Sequence, residues 1–201
     1  MIFSTICSTY EERKNQSEYL LQILKNYPNT EEVNKILIVK SCYCLMLYNI
    51  VESTMYNICE YIHEKLSQKT FSELNSEYQH IMLEYYFDQK KIKSCRQNFD
   101  KLIQGKLKFP NFSDYIKQKK IFSGNLDAQK IDNVLKWYKI HPLSVANREH
   151  VKDIKDIRNK LAHGEQNFLD ATRNMTIQQL EIFRDDVYSV MKNVLDIVST
   201  F

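Results

Sequence analysis

Glycine and proline are almost absent from this chain, and their scarcity limits the folds it can adopt more than any other feature. The 201 residues contain three glycines and three prolines, and residues 29–104 contain neither. Tight hairpin turns, phosphate-binding loops and Rossmann crossovers all need glycine at fixed positions. The sequence therefore favours helices and argues against enzymes built on glycine-rich nucleotide loops. Its length fits a single domain, which we place at residues 1–201.

Helical periodicity and capping signals divide the chain into helices. The longest apolar stripe has members three and four residues apart: Val33, Ile36, Leu37, Leu47, Val51, Met55, Ile58 and Ile62. The predicted helices run from Thr9 to before Pro28, from Thr30 to about Leu66, from near Ser72, from Asn125 to about Tyr138, from Asn147 to a stop at Gly164, and from the capping box of Thr176 and Gln179 onwards. The expected fold is all-α, a four-helix bundle with additional short helices and an irregular basic insertion at about 90–122.

Cysteine usage and hydropathy indicate a reduced compartment. The five cysteines include no CxxC pair, and most lie in apolar helical runs where buried thiols are expected. The N-terminal stretch lacks the pattern of a signal peptide, and no run reaches 18 consecutive apolar residues. We therefore expect a cytoplasmic protein without a membrane partner.

The basic insertion concentrates positive charge. Residues 90–120 contain ten basic and two acidic residues, whereas the whole chain has a net charge of only +3. Interleaved with them are aromatic residues, namely Phe99, Phe109, Phe112, Tyr115 and Phe122. Phosphates need cations and bases need flat faces, so this pattern suits single-stranded nucleic acid, with Lys117, Lys119 and Lys120 as candidate RNA contacts. The alternative is a solvated surface whose aromatic residues face the core.

No familiar catalytic or metal-binding motif is present. The sequence has no HExxH, no paired cysteine spacing, no GxSxG and no P-loop. We predict neither a metal site nor a cofactor.

The densest polar cluster is the run RNKLAHG at residues 158–164. On a helix, Asn159 and His163 share a face, whereas Arg158 lies about 140° around the axis from His163. The Arg158 side chain either wraps back or meets a histidine from another chain. The helix dipole near Gly164 favours a protonated imidazole, and a histidine beside a guanidinium suits phosphodiester cleavage. The alternative is that His163 simply ends the helix.

This run resembles the R-polar-x3-H signature of the HEPN superfamily (higher eukaryotes and prokaryotes nucleotide-binding). The segments Leu47–Glu52 and Ser123–Ala128 match the wider pattern of its bacterial nuclease branch, found in defence and toxin proteins, so the resemblance covers roughly residues 30–198. It implies a metal-independent endoribonuclease in which the 2′-hydroxyl attacks the adjacent phosphate. The site is typically shared across a homodimer.

The resemblance also assigns roles to individual residues. Arg158 and His163 match the two catalytic positions, Asn159 matches the polar position, and Glu52 corresponds to an acidic residue that orders the site. Lys160 is expected to be solvated or to touch phosphate, and the alternative for Glu52 is a charge paired within the bundle. Two other functions stay open: a silent HEPN dimer that binds an antitoxin or nucleotidyltransferase, and a plain RNA-binding bundle.

Overall fold

The regular structure is helical throughout the part of the chain that the structure describes. This computed structural model describes residues 2–26, 32–88, 92–119, 122 and 124–201, and no strand occurs among them. The all-α prediction is therefore confirmed. Within the described residues the α-helices are α1 (Phe3–Asn26), α2 (Val33–Ser67), α3 (Ser76–Phe87), α4 (Ile92–Ile103), α5 (Phe112–Lys119), α6 (Ala128–Trp137), α7 (His150–Ala162) and α8 (Ile177–Ser199), with a 3-10 helix at Phe71–Glu73.

Helix starts differ from the sequence prediction more than helix ends do. Helix α1 begins at Phe3, and the Thr9 hydroxyl donates to the Thr5 carbonyl inside it (2.9 Å), so Thr9 is not its cap. Helix α3 begins after the 3-10 helix, with Asn75 as its cap. Helix α7 begins at His150, three residues after Asn147. The predicted start at Thr30 lies outside the described residues.

The chain divides into two compact units. One comprises residues 57–121, and the other comprises residues 2–56 and 122–201. We call the second the motif unit because it contains residues 158–164. Helix α2 contributes its first part to the motif unit and its remainder to the 57–121 unit.

In the motif unit, helix α8 packs against α1 and α7. Its start matches the prediction, since the Thr176 hydroxyl accepts from the Gln179 amide and the Gln179 side chain accepts from the Thr176 amide. The segment between α7 and α8 is held against α2, because Ser41 donates to the Phe168 carbonyl (2.7 Å) and Thr172 donates to the Leu37 carbonyl (3.2 Å). These bonds fix the chain that follows the motif.

The 57–121 unit is built around a buried histidine. His63 is 2% exposed, and its Nδ1 donates to the Pro110 carbonyl at 2.7 Å. Three aromatic rings pack against it with centroids within 5.2 Å: Phe109, Phe112 and Tyr115. The basic insertion is more regular than predicted, because helices α4 and α5 occupy most of it. Gly105 and Pro110, which made it look irregular, lie in the connection at 104–111.

Helix α2 has the length and apolar composition of a membrane span, and it is the one helix among the described residues that does. Core helices pass the same test. The side chains of Tyr43, Leu47, Ile50 and Met55 are completely buried within the structure. Packing therefore accounts for the apolar composition of this helix.

Candidate active site

Helix α7 ends at a glycine, as the sequence predicts. Gly164 has φ +71°, a conformation that favours glycine, and its amide bonds to the Leu161 carbonyl (3.3 Å). The next amide, Glu165, bonds to the Lys160 carbonyl (2.9 Å). These two bonds form a Schellman turn, which fixes His163 as the C-cap residue of α7. The His163 side chain is exposed to solvent.

The Arg158 guanidinium lies over an aromatic ring instead of a carboxylate. Its Cζ is 5.2 Å from the centroid of the Tyr48 ring, and its Nη1 donates to Asn159 Oδ1 at 3.0 Å. Among the described residues it forms no ion pair. A cation held by a ring and an amide keeps its full charge for an anion.

Gly124 allows the close approach of this guanidinium. A Cβ atom added at Gly124 would lie 2.5 Å from Arg158 Nη1, and the residue has φ +73°. Any other residue at this position would therefore displace the guanidinium from its place and strain the backbone. The backbone conformation favours glycine, and the missing side chain leaves room for Arg158.

The rest of the 124–127 segment is fastened to α7 as well. Asn159 Nδ2 donates to Asn125 Oδ1 at 2.8 Å, and Lys155 pairs with Asp127 at 2.8 Å. Asp127 also caps α6 by accepting from the Lys130 amide, a role that the sequence analysis assigned to Asn125. Partial burial acts to raise the pKa of Asp127, but the bonds from Lys155 and Lys130 outweigh it and the pKa is lowered.

Tyr48 joins α2 to the same segment. Its side chain is fully buried, and its hydroxyl oxygen accepts from the Leu126 amide at 3.2 Å. Burial raises the pKa of Tyr48, and the charge of Glu52 adds to that shift. The phenol therefore stays neutral and supports Arg158 through its ring.

Two of the predicted site residues lie apart from this network. No hydrogen bond joins Arg158 to His163, and the Arg158 side chain is held towards Tyr48. Glu52 follows Tyr48 by one turn of α2, is half-buried, and has no hydrogen bond or ion pair with any described residue. Of the predicted set, the structure brings only Arg158 and Asn159 into direct contact.

One family model accounts for nearly the whole chain. The family described as MAE_28990-like HEPN matches residues 3–201. The chain belongs to the HEPN family. No protein of curated function and no solved structure matches it significantly. HEPN modules are commonly nucleases. The R-polar-x3-H run of this chain, residues 158–163, lies at the end of α7.

The predicted RNA-contacting lysines of this HEPN chain have different surroundings. Lys160 is exposed, and Lys117 is exposed beside Asp114, 3.9 Å away. Lys119 is only 15% exposed in its side chain and pairs with Glu84 at 2.5 Å. Lys120 lies outside the described residues.

The aromatic residues of the basic insertion mostly belong to the core. Phe109, Phe112 and Tyr115 are buried around His63, and Phe122 packs on Tyr56 with centroids 5.7 Å apart. Phe99 alone among the five is exposed, at 53%. The core-facing alternative therefore describes most of these rings.

Tyr48 and Gly124 lie in the segments Leu47–Glu52 and Ser123–Ala128 that match the HEPN pattern, but the sequence alone assigns neither residue a role. The sequence signal for Gly124 was the scarcity of glycine in this chain. All three glycines have a positive φ, so each stands where the backbone conformation favours glycine. No local signal pairs Tyr48 with Arg158, because the two residues are far apart in sequence. Among the described residues, no group of three His, Cys, Asp or Glu side chains has the arrangement of a metal site.

Proposed function

We propose that this HEPN chain is a metal-independent endoribonuclease that cleaves RNA by transesterification from the 2′-hydroxyl. The observation that carries the proposal is the un-neutralised Arg158 guanidinium, fixed by Tyr48, Asn159 and Gly124 on the helix that ends at an exposed His163. A structural arginine at a helix surface gains most from a carboxylate partner. An arginine held without one is suited to binding a phosphate.

In the proposed reaction His163 supplies general acid–base catalysis. An imidazole removes the proton of the 2′-hydroxyl, the 2′-oxygen attacks phosphorus, and the bond from phosphorus to the 5′-oxygen breaks. The 5′-oxygen leaves with a proton returned by an imidazole, and the other product carries a 2′,3′-cyclic phosphate. Arg158 binds the charge that grows on the phosphorane-like transition state. Asn159 orients Arg158 through its Oδ1.

We propose that the site is shared between two copies of the chain. Arg158 and His163 are separated by about 140° around an ideal helix. The Arg158 side chain is already engaged on the side of Tyr48. A second copy that presents its own His163 beside Arg158 would complete the pair.

Glu52 and the basic insertion have supporting roles in this proposal. Glu52, unpaired and one turn from Tyr48, would help to order the site. Lys160 and the insertion residues Lys117 and Lys120 would contribute RNA affinity, whereas Lys119 is largely buried against Glu84. Because phosphate contacts release counterions, cleavage should weaken steeply between low and physiological salt. Cleavage that hardly changed with salt would exclude this role for the insertion.

The test is cleavage of total cellular RNA in excess EDTA by the wild type and by His163→Ala. Fragments with 2′,3′-cyclic phosphate ends from the wild type alone are expected. Equal cutting by both proteins would point to a contaminant or to another site. No cutting by either, from a dimeric protein, would favour the partner-binding HEPN module, which pairs with an antitoxin or a nucleotidyltransferase.

The shared site has its own test. An Arg158→Ala chain mixed with a His163→Ala chain should regain partial activity, since one of the two sites in a mixed dimer would carry both wild-type residues. Mixed dimers that form but stay inactive would contradict a shared site.

The biological role proposed with this activity is that of a toxin or an anti-phage defence effector. It rests on the resemblance to the bacterial HEPN nuclease branch. Induced expression of the wild type should arrest growth of the host cell, while His163→Ala should not. Equal toxicity of both would separate toxicity from RNA cleavage.

A further inference from the structure

The motif unit contains a small cavity between α1 and α2 that none of the proposed catalytic residues lines. Its volume is about 250 Å³, and its apolar wall is formed by Leu45, Met46 and Ile50. Arg13 from α1 and Cys42 from α2 also line it. A cavity of this size accommodates a short aliphatic group, not a drug-sized ligand.

Arg13 has no anionic partner among the residues that the structure describes. Its Nη1 atom is buried without a hydrogen bond, and its guanidinium forms no ion pair with any described residue. Its neighbour Lys14 pairs with Glu11 at 3.3 Å, so α1 does offer carboxylates to its cations. Arg13 therefore brings an uncompensated positive charge to the wall of the cavity, and an anion inside the cavity would neutralise that charge.

The cavity chemistry defines the class of ligand. A guanidinium matches a carboxylate with two parallel hydrogen bonds. Arg13 is the one cation among the described residues that line the cavity, so a monoanion is neutralised whereas a dianionic phosphate would keep a buried charge. We propose that this cavity binds a carboxylate carried on a short aliphatic chain, with the carboxylate on Arg13 and the chain against Leu45 and Met46.

Two sources supply such a group: a free short-chain carboxylate and an acidic side chain from a second copy of this chain. Both present the same chemistry to Arg13. The experiment below separates them, and neither arm depends on RNA cleavage.

Cys42 reports on the cavity directly because its thiol is half-exposed there. Iodoacetate carries a carboxylate and iodoacetamide is its neutral amide, so the ratio of their alkylation rates at one thiol reports attraction for the anion. We expect Arg13→Gln to lower this ratio at Cys42 about fivefold. Peptide mass spectrometry measures both rates, with Cys7 as an internal control because it is half-exposed and lies outside the cavity.

Lys14→Gln is the matched variant, since it removes the same charge one residue away and should leave the Cys42 ratio unchanged. A second measurement uses the wild type alone. Pentanoate should slow alkylation of Cys42 by iodoacetamide, and pentanamide at the same concentration should not. Protection that rises with protein concentration without pentanoate would assign the carboxylate to a second copy.

Two results would overturn the proposal. One is a Cys42 ratio that Arg13→Gln leaves unchanged, because the arginine would then not recognise the anion. The other is a failure of the protection experiment at Cys42. Either pentanoate and pentanamide would protect the thiol equally, or neither pentanoate nor a higher protein concentration would protect it.

Discussion

The two histidines His63 and His163 lie in opposite surroundings, one in the core of its unit and one at the solvent-exposed end of a helix. His63 is enclosed by aromatic rings, its Nδ1 is bonded to the Pro110 carbonyl, and burial lowers its pKa to about 4. His163 is exposed at the end of α7, where Gly164 turns the chain away. The first is built into the core, and the second is free to meet a substrate.

The difference shows what a candidate active site needs beyond residue types. The 57–121 unit combines basic residues, aromatic rings and histidines, yet His63 and the rings of Phe109 and Tyr115 pack on one another in its core. In the motif unit, Arg158 has no carboxylate partner among the described residues, and His163 is exposed to solvent. Function is better indicated by accessible, unpaired groups than by composition.

The largest expected effect that tests this contrast is on catalysis. His163→Ala should reduce the rate of RNA cleavage about a thousandfold, since general acid–base catalysis typically contributes that much. Its free energy of unfolding should change by less than about 0.5 kcal/mol, because the side chain is exposed. Single-turnover cleavage and urea unfolding of the same samples measure both quantities. A large loss of stability would show a structural role for His163.

The next effect is on stability and comes from His63. Its pKa is lowered in the folded state, so the unfolded chain binds a proton more readily between pH 6.5 and about 4. The stabilisation is complete above pH 6.5 and is lost as the pH falls through that range, by about 3 kcal/mol. Urea unfolding at pH 7 and pH 4.5 should show a steeper loss for the wild type than for His63→Gln.

His80→Gln is the matched control for that measurement. His80 is exposed on α3, so His80→Gln should leave the pH dependence of the wild type almost unchanged. A pH dependence that His63→Gln did not reduce would mean that His63 is protonated as readily when folded as when unfolded.

A smaller effect tests how Arg158 is held. Tyr48→Leu removes the ring beneath the guanidinium and should lower the rate of cleavage roughly tenfold, the size of one cation–π contact. Tyr48→Phe keeps the ring and loses only the bond from the Leu126 amide, so its rate should stay within about threefold of the wild type. Equal losses in both variants would assign the effect to the hydroxyl.

The smallest effect distinguishes two neighbouring lysines. In a His163→Ala background, Lys117→Gln should reduce the salt dependence of single-stranded RNA binding by about 0.7 in the slope of log K against log salt. Lys119→Gln should instead reduce stability, because Lys119 is largely buried against Glu84. Fluorescence anisotropy over a salt series measures the first effect, and urea unfolding measures the second. If Lys117→Gln reduced stability and Lys119→Gln reduced the salt dependence, Lys119 and not Lys117 would be the residue that contacts RNA.

Sequence reasoning predicted the parts of this fold that depend on local signals. The all-α class, the stop at Gly164 and the capping box at Thr176 each follow from residues close together in the chain. HEPN membership followed from the run at 158–164 and is supported by the match over residues 3–201. These features need no knowledge of tertiary packing.

The remaining features depend on contacts that local signals do not contain. Asn125 and Asp127 are both good caps, and the choice between them is made by Asn159, which bonds Asn125. The role of Tyr48 likewise exists only because α2 and α7 meet. Helices α4 and α5 were not predicted, because Gly105 and Pro110 break the helical pattern in the connection between them.

The Schellman turn after His163 also constrains the length of the motif. Because the turn sets where α7 ends, inserting or deleting one residue between Arg158 and His163 would rotate the two side chains relative to each other by about 100°. Lys160 and Ala162 are exposed, so substitutions there disturb little. The length of the stretch between Arg158 and His163 is therefore fixed, whereas the identities of Lys160 and Ala162 are not.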